Sequence, residues 1–140
     1  MKYSKATNYA LHTMVHLALV PGGKAVGVDY LAQEQKVSPT YLSKILTKLV
    51  KAGLIESTPG VNGGYRLIKQ VEDISFLDVI QAIEGTTTLF SCSSLDHEPL
   101  PFHKGCYIQK VMLESEGKMK SELKNRKISE VVEAAKEDKK

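Results

Sequence analysis

The chain is 140 residues long, with 42% hydrophobic and 25% charged residues and a formal net charge of +3. That length suits one domain with its own hydrophobic core. Two cysteines are too few for a disulfide-stapled secreted fold, and no apolar run reaches the ~20 residues of a membrane span. Met1, Lys2, Tyr3, Ser4 and Lys5 lead straight into a polar-interrupted segment without a secretory pattern, so the cytoplasm is the expected location and no membrane partner is expected.

In chain order, the first predicted helix runs from about Ser4 to Val20. Leu11, Met14, Val15, Ala18 and Leu19 recur at helical spacing, and Pro21-Gly22-Gly23 ends the segment. A second, shorter helix covers Val28 to Gln35. After a tight Lys36-Val37 connection, Ser38 is placed to accept from backbone amides of the next turn. Pro39 suits a first helical position, where its missing N–H would be unpaired anyway. The third helix carries one apolar stripe, Leu42, Ile45, Leu46 and Leu49, and stops at Gly53.

Two β-prone runs follow, Leu54–Thr58 and Tyr65–Ile68. They flank Pro59-Gly60-Val61-Asn62-Gly63-Gly64, a loop of residues that tolerate positive φ, which predicts a hairpin. Ser75-Phe76-Leu77-Asp78 has the form of a capping box, opening a helix that ends at Gly85. Residues 86–104 lose all periodicity. A long polar helix is expected from about Gly105 to Lys124, with Ile108, Met112, Met119 and Leu123 on one side, a stripe too thin for a core helix and suited to a dimer seam. A short helix near Ile128–Ala135 and a frayed charged tail, Lys136–Lys140, close the chain.

Helix, short helix, tight turn, capped helix and Gly-rich hairpin form the sequence pattern of a winged helix-turn-helix. In such units the second helix of the pair lies in the major groove of DNA. The fold class is therefore mainly α with a small β-hairpin wing, followed by a long C-terminal dimerisation helix. Charge agrees: Lys36 to Lys51 contains four lysines and no acid, whereas Glu72 to Glu98 contains six acids and no Lys or Arg. The outward positions of the third helix and its cap are Ser38, Thr40, Tyr41, Ser43, Lys44, Thr47 and Lys48. Hydroxyls read either base type, Tyr41 bonds a phosphate or stacks, and the lysines suit phosphates. With Pro39 and the wing residues Asn62, Gly63, Gly64 and Tyr65, they are the candidate DNA-binding set. No Arg, Asn or Gln lies on this helix, so specificity should lean on the wing, on DNA shape and on dimer spacing. Hairpin-bearing three-helix units also serve as protein–protein modules, and the lysine-only exposed face argues against that alternative here.

Four stretches, Tyr41–Leu46, Leu49–Ile55, Gly63–Leu67 and Ile74–Gly85, together resemble the Rrf-two (Rrf2) family of bacterial transcription regulators over about residues 1–125. The resemblance implies a homodimer, held by the long helix after Gly105, on a pseudo-palindromic operator in double-stranded DNA, with the third helix in the major groove and the wing at the minor groove. Repression is the expected mode. The chain divides accordingly into a DNA-binding part (1–85), a sensor-type loop (86–104) and a dimerisation helix with tail (105–140). One departure stands out: many relatives open the wing with Arg-Gly, and this chain has Pro59-Gly60. Asn62 is the residue left to replace that base contact.

Sensing members of the family hold an iron–sulfur cluster on three loop cysteines. This chain has Cys92 and Cys106, with thirteen residues between them, and lacks the middle one. Four readings stay open. Cys92 and Cys106 can share a cluster with His97, His103 or the partner's His12. They can act as a thiol switch, because Cys106 opens a helix whose positive end favours thiolate. The set Cys92, His97, His103 and Cys106 has zinc-ligand chemistry but matches no established zinc spacing. Or the thiols are ordinary, and a small molecule or a regulatory partner protein controls the regulator. No cofactor or metal is assigned. His12 and His16 lie four apart on one helical face, which more often means packing than ligation. An enzyme, such as a small thiol oxidoreductase, is not expected, since Cys-x-x-Cys and strand–helix alternation are both missing.

Overall fold

Apolar stripes interrupted by glycine and proline stops fold into helices α1 (Lys5–Ala18), α2 (Val28–Gln35), α3 (Pro39–Lys51), α4 (Phe76–Glu84), α5 (Tyr107–Asn125) and α6 (Ile128–Asp138). Between α3 and α4 lie strands β1 (Ile55–Thr58) and β2 (Gly64–Leu67), and one-turn 3-10 segments occupy Pro21–Gly23 and Val71–Asp73. The computed structural model describes residues 3–86, 89 and 107–138. The expected boundaries of α2, the Ser38 cap and the Ser75–Asp78 capping box all recur.

A single core joins Ala10, Met14 and Leu17 of α1 to Leu31 of α2, the full α3 stripe, Ile55, Ile74 and Val79. Each of the larger side chains among them contributes about 1.5–3 kcal/mol on burial. Ile128 and Val132 of α6 belong to the same core, so the chain's C-terminal end packs back against α1. Backbone bonds fix the return: the Phe76 N–H donates to the Arg126 carbonyl and the Ile128 N–H to the Ile74 carbonyl, both at 2.9 Å. Around this joint Arg126 donates to Glu122 and, with one nitrogen, to both oxygens of Glu130.

One expectation changes here. The tail is not frayed from Lys136, because α6 runs on to Asp138. On α5, Met112 and Leu123 are half-buried on either side of a buried Glu116, Met119 lies with Leu123 against Tyr3, Leu77 and Ile80, and Ile108 and Val111 are exposed. With so few apolar residues on α5, packing against α4 rather than periodicity decides which face is inside. The expected start of this helix near Gly105 lies outside the described residues, as do Cys92, His97, His103 and Cys106.

Candidate nucleic-acid interface

The turn between α2 and α3 is made at Lys36, the one non-glycine residue with positive φ among the described residues (φ 57°, ψ 46°). A lysine tolerates this left-handed conformation at some cost. The Val37 N–H donates to the Ala32 carbonyl at 3.0 Å, which turns the chain directly into Ser38. The Ser38 hydroxyl oxygen accepts from the Tyr41 N–H at 3.1 Å, satisfying an amide that the helix itself leaves open.

Burial of Leu42, Ile45, Leu46 and Leu49 sets the rotation of α3. It leaves Thr40, Tyr41, Lys44, Thr47 and Lys48 exposed together, with Ser38 and Pro39 at the helix start and Ser43 half-buried. No acid occupies the first turn, so the positive end of the helix and two lysines present one sign of charge to an anionic ligand. Two polar groups are already engaged. The Thr47 hydroxyl donates to the Ser43 carbonyl at 2.9 Å, and the Tyr41 ring stands edge-to-face with Tyr9 of α1 at 5.8 Å between centroids. That contact holds Tyr41 in place and anchors the start of α3 to α1.

The wing pairs β1 with β2 in antiparallel register, Glu56 opposite Arg66 and Thr58 opposite Gly64. A third, one-residue strand was not visible in the sequence. Val26 exchanges two backbone bonds with Tyr65, of 3.0 and 2.7 Å, and ties the hairpin to the segment before α2. This approach is possible because Gly64 (φ +136°) has no side chain: a Cβ there would sit 2.4 Å from the Val26 carbonyl oxygen. Tyr65 packs half-buried against the core. Of the four expected wing residues, only Asn62 is exposed; Gly63, Gly64 and Tyr65 are half-buried and shape the hairpin.

Behind α3, Glu84 closes a junction that sequence reasoning missed. Its carboxylate accepts from the Ser4 N–H (2.7 Å), the Ser4 hydroxyl (3.0 Å) and the Thr7 hydroxyl (2.6 Å), so the end of α4 caps the start of α1. The Thr7 hydroxyl, and after it the Ser4 amide, hold this carboxyl below its ordinary range; Lys48 adds a weaker attraction. The partners lie 77 and 80 residues away, and no local pattern signals them. Glu116 is likewise a buried carboxylate on α5, accepting from the Leu89 N–H and pairing with Lys120.

His12 lies on the exposed side of α1, with Nδ1 2.8 Å from the Asn8 carbonyl. Since a carbonyl only accepts, that nitrogen carries the hydrogen. His12 and His16 line the rim of an apolar groove of about 320 Å³ floored by Leu11, Val15, Leu19, Phe76 and Val131. Among the described residues no three His, Cys, Asp or Glu side chains gather as a metal site, and no helix is long and apolar enough to cross a membrane.

A short helix, a left-handed turn, a capped basic helix and an anchored hairpin define a winged helix-turn-helix protein of the transcription-regulator class. The family "Rrf2: Iron-dependent Transcriptional regulator" matches residues 3–134. This chain belongs to the Rrf2 family. YffB of Lactococcus lactis, by name an HTH-type transcriptional regulator, is 36% identical over 137 residues, 95% of this chain and 88% of that protein. CymR, the global cysteine regulator of B. subtilis, superposes with a TM-score of 0.78 at 25% identity, over 96% of this chain and 98% of that one. IscR of T. potens does so with a TM-score of 0.75 at 26% identity, over 100% and 92%. The chain is thus an HTH-type transcriptional regulator and not an enzyme.

Proposed function

We propose that this regulator acts as a homodimeric repressor on a pseudo-palindromic operator, with α3 in the major groove and the wing at the minor groove. The observation that carries the reading is the exposed face of α3, where Thr40, Tyr41, Lys44, Thr47 and Lys48 stand together without an acid. Hydroxyls at the start of the helix serve the base edges, and the lysines serve phosphates further along. Residues 1–85 bind DNA in this reading, and α5 joins two copies. Support for the dimer is the outer side of α5: Ile108 and Val111 are 60% and 57% exposed on a helix of 19 residues, about 28 Å long. Such a row gains most by meeting its own copy across a two-fold axis.

Control is assigned to residues 86–104 and the redox state of Cys92 and Cys106. The support is chemical: Cys106 directly precedes the first residue of α5 in the sequence, and a thiol at a helix start is favoured as thiolate. The test uses protein purified without oxygen. Sedimentation gives its size, and fluorescence anisotropy its affinity for a duplex that it selects from a random library, before and after peroxide. A dimer whose affinity falls on oxidation, reversibly with dithiothreitol, upholds the reading. A brown, visible-absorbing sample would replace the thiol switch by a cluster, and a monomer without duplex selection would sink the DNA-binding assignment itself.

A further inference from the structure

The tip of the wing carries no charge and one bare apolar side chain. Arg66 is the only cation between Ile55 and Leu67, and its Nε lies 2.5 Å from Glu56, the residue facing it across the hairpin. Paired in this way, Arg66 sits at the stem of the hairpin beside a counter-charge rather than at its tip. At the tip, Val61 exposes its whole side chain, 103% of the reference value. The loop that presents it is locally constrained. Pro59 restricts the backbone at its start, Gly60 adopts φ +100°, and the Gly63 N–H closes the turn on the Gly60 carbonyl at 3.1 Å. The Val26–Tyr65 bonds fix the stem to the body.

A single exposed valine is ordinary on a protein surface. This one stands fully exposed at the uncharged tip of the hairpin, beside Asn62, on a protein whose α3 is basic. A rigid side chain pays little ordering entropy on contact, and apolar side chains are compatible with the sugar walls and base steps of the minor groove.

We propose that Val61 is a specificity-determining residue of the wing, taking as its ligand the minor groove of A·T base pairs in duplex DNA. Its methyl groups pack against the sugar edges and groove floor. The exocyclic amino group of guanine, which projects into that floor, excludes them from G·C steps. The Asn62 amide donates to the acceptors that A·T pairs offer there. The wing therefore reads the presence of the guanine amino group and the shape of the groove, and releases no counterions in doing so. This rests on the proposed placement of the wing on DNA.

The test is anisotropy binding of the full chain to a duplex selected by the wild-type protein from a random library, measured across a salt series. Val61→Ser should weaken binding about fivefold through reduced apolar burial, at an unchanged slope of log affinity against log salt. Val61→Lys should steepen that slope by about 0.9, because a cation at the tip meets a phosphate. Wild-type binding should also weaken when the A·T pairs under the wing are replaced by G·C, and Val61→Ser should lose that discrimination. If Val61→Ser binds like wild type while Val61→Lys steepens the slope, the tip touches DNA without using its methyl groups and the proposal is overturned. If Val61→Lys leaves the slope unchanged, the tip lies off the DNA and the proposal falls. Lys44→Ala separates the two failures: a shallower slope for that variant upholds DNA binding by α3 even when the wing assignment fails.

Discussion

Replacing Gly64 by alanine adds one methyl group where the wing's backbone comes closest to the Val26 segment. The new Cβ would stand 2.4 Å from the Val26 carbonyl oxygen, 2.5 Å from its carbon and 2.9 Å from the Gly27 nitrogen. Backbone cannot yield as a flexible side chain does, so the Val26 segment has to move away and the two bonds between Val26 and Tyr65 break. Each bond contributes roughly 1 kcal/mol, and holding an alanine at φ +136° adds about 1–2 kcal/mol. The expected loss is about 3–4 kcal/mol, a large part of the ~5–15 kcal/mol that keeps such a domain folded. In urea the midpoint should fall by about 1.5–2 M at a slope near 2 kcal/mol per M. Gly60→Ala is the matched control. It also places alanine at positive φ, but its Cβ meets nothing within 4 Å, so it should cost only about 1 kcal/mol. Operator affinity should fall for Gly64→Ala, because the hairpin is no longer tied to the body, whereas the sedimentation coefficient should match that of the wild type. Equal stabilities for the two variants would refute the claim that close packing against Val26, rather than backbone angle, makes Gly64 necessary.

The double variant Lys44→Ala, Lys48→Ala should weaken binding to all duplexes alike and flatten the log–log salt slope by roughly 0.9 for each phosphate that is no longer neutralised. An unchanged slope would remove both lysines from the interface. Glu84→Gln should cost about 1 kcal/mol in chemical denaturation near neutral pH, because the acceptor shared by Ser4 and Thr7 loses its charge. The folded-state pKa of Glu84 lies below its ordinary value of 4.5, so the native carboxylate's stabilisation is complete above that value and is lost as pH falls through the folded one. The stability gap between wild type and Glu84→Gln should therefore narrow on acidification below pH 4.5. A gap that stays constant down to about pH 3 would deny the carboxylate its role in capping α1.

Much of the candidate site was legible because its determinants are local. Once Leu42, Ile45, Leu46 and Leu49 are recognised as one stripe, the remaining positions of that helix must face outwards, and Thr40, Lys44, Thr47 and Lys48 are among them. The Ser38 cap and the Ser75–Asp78 box each join residues three apart, within reach of a pattern read along the chain. Tyr65 was less legible: β propensity places it in the hairpin, but only packing reveals that its ring turns to the core and its backbone meets Val26.

The amino-acid sequence by itself determined the order of helices, the hairpin, the basic face of α3 and the family, since these follow from apolar period, capping chemistry and turn residues within a few positions. Tertiary structure alone decided that Val26 completes the wing, that Glu84 caps α1, and that α5 turns Met112, Glu116 and Leu123 inwards while Ile108 and Val111 face out. Each of these joins groups far apart in the chain or chooses between faces of nearly equal polarity. A weakly patterned helix has no preferred inner side until a neighbour supplies one, and a carboxylate has no preferred amide until the fold brings a helix start within hydrogen-bond reach.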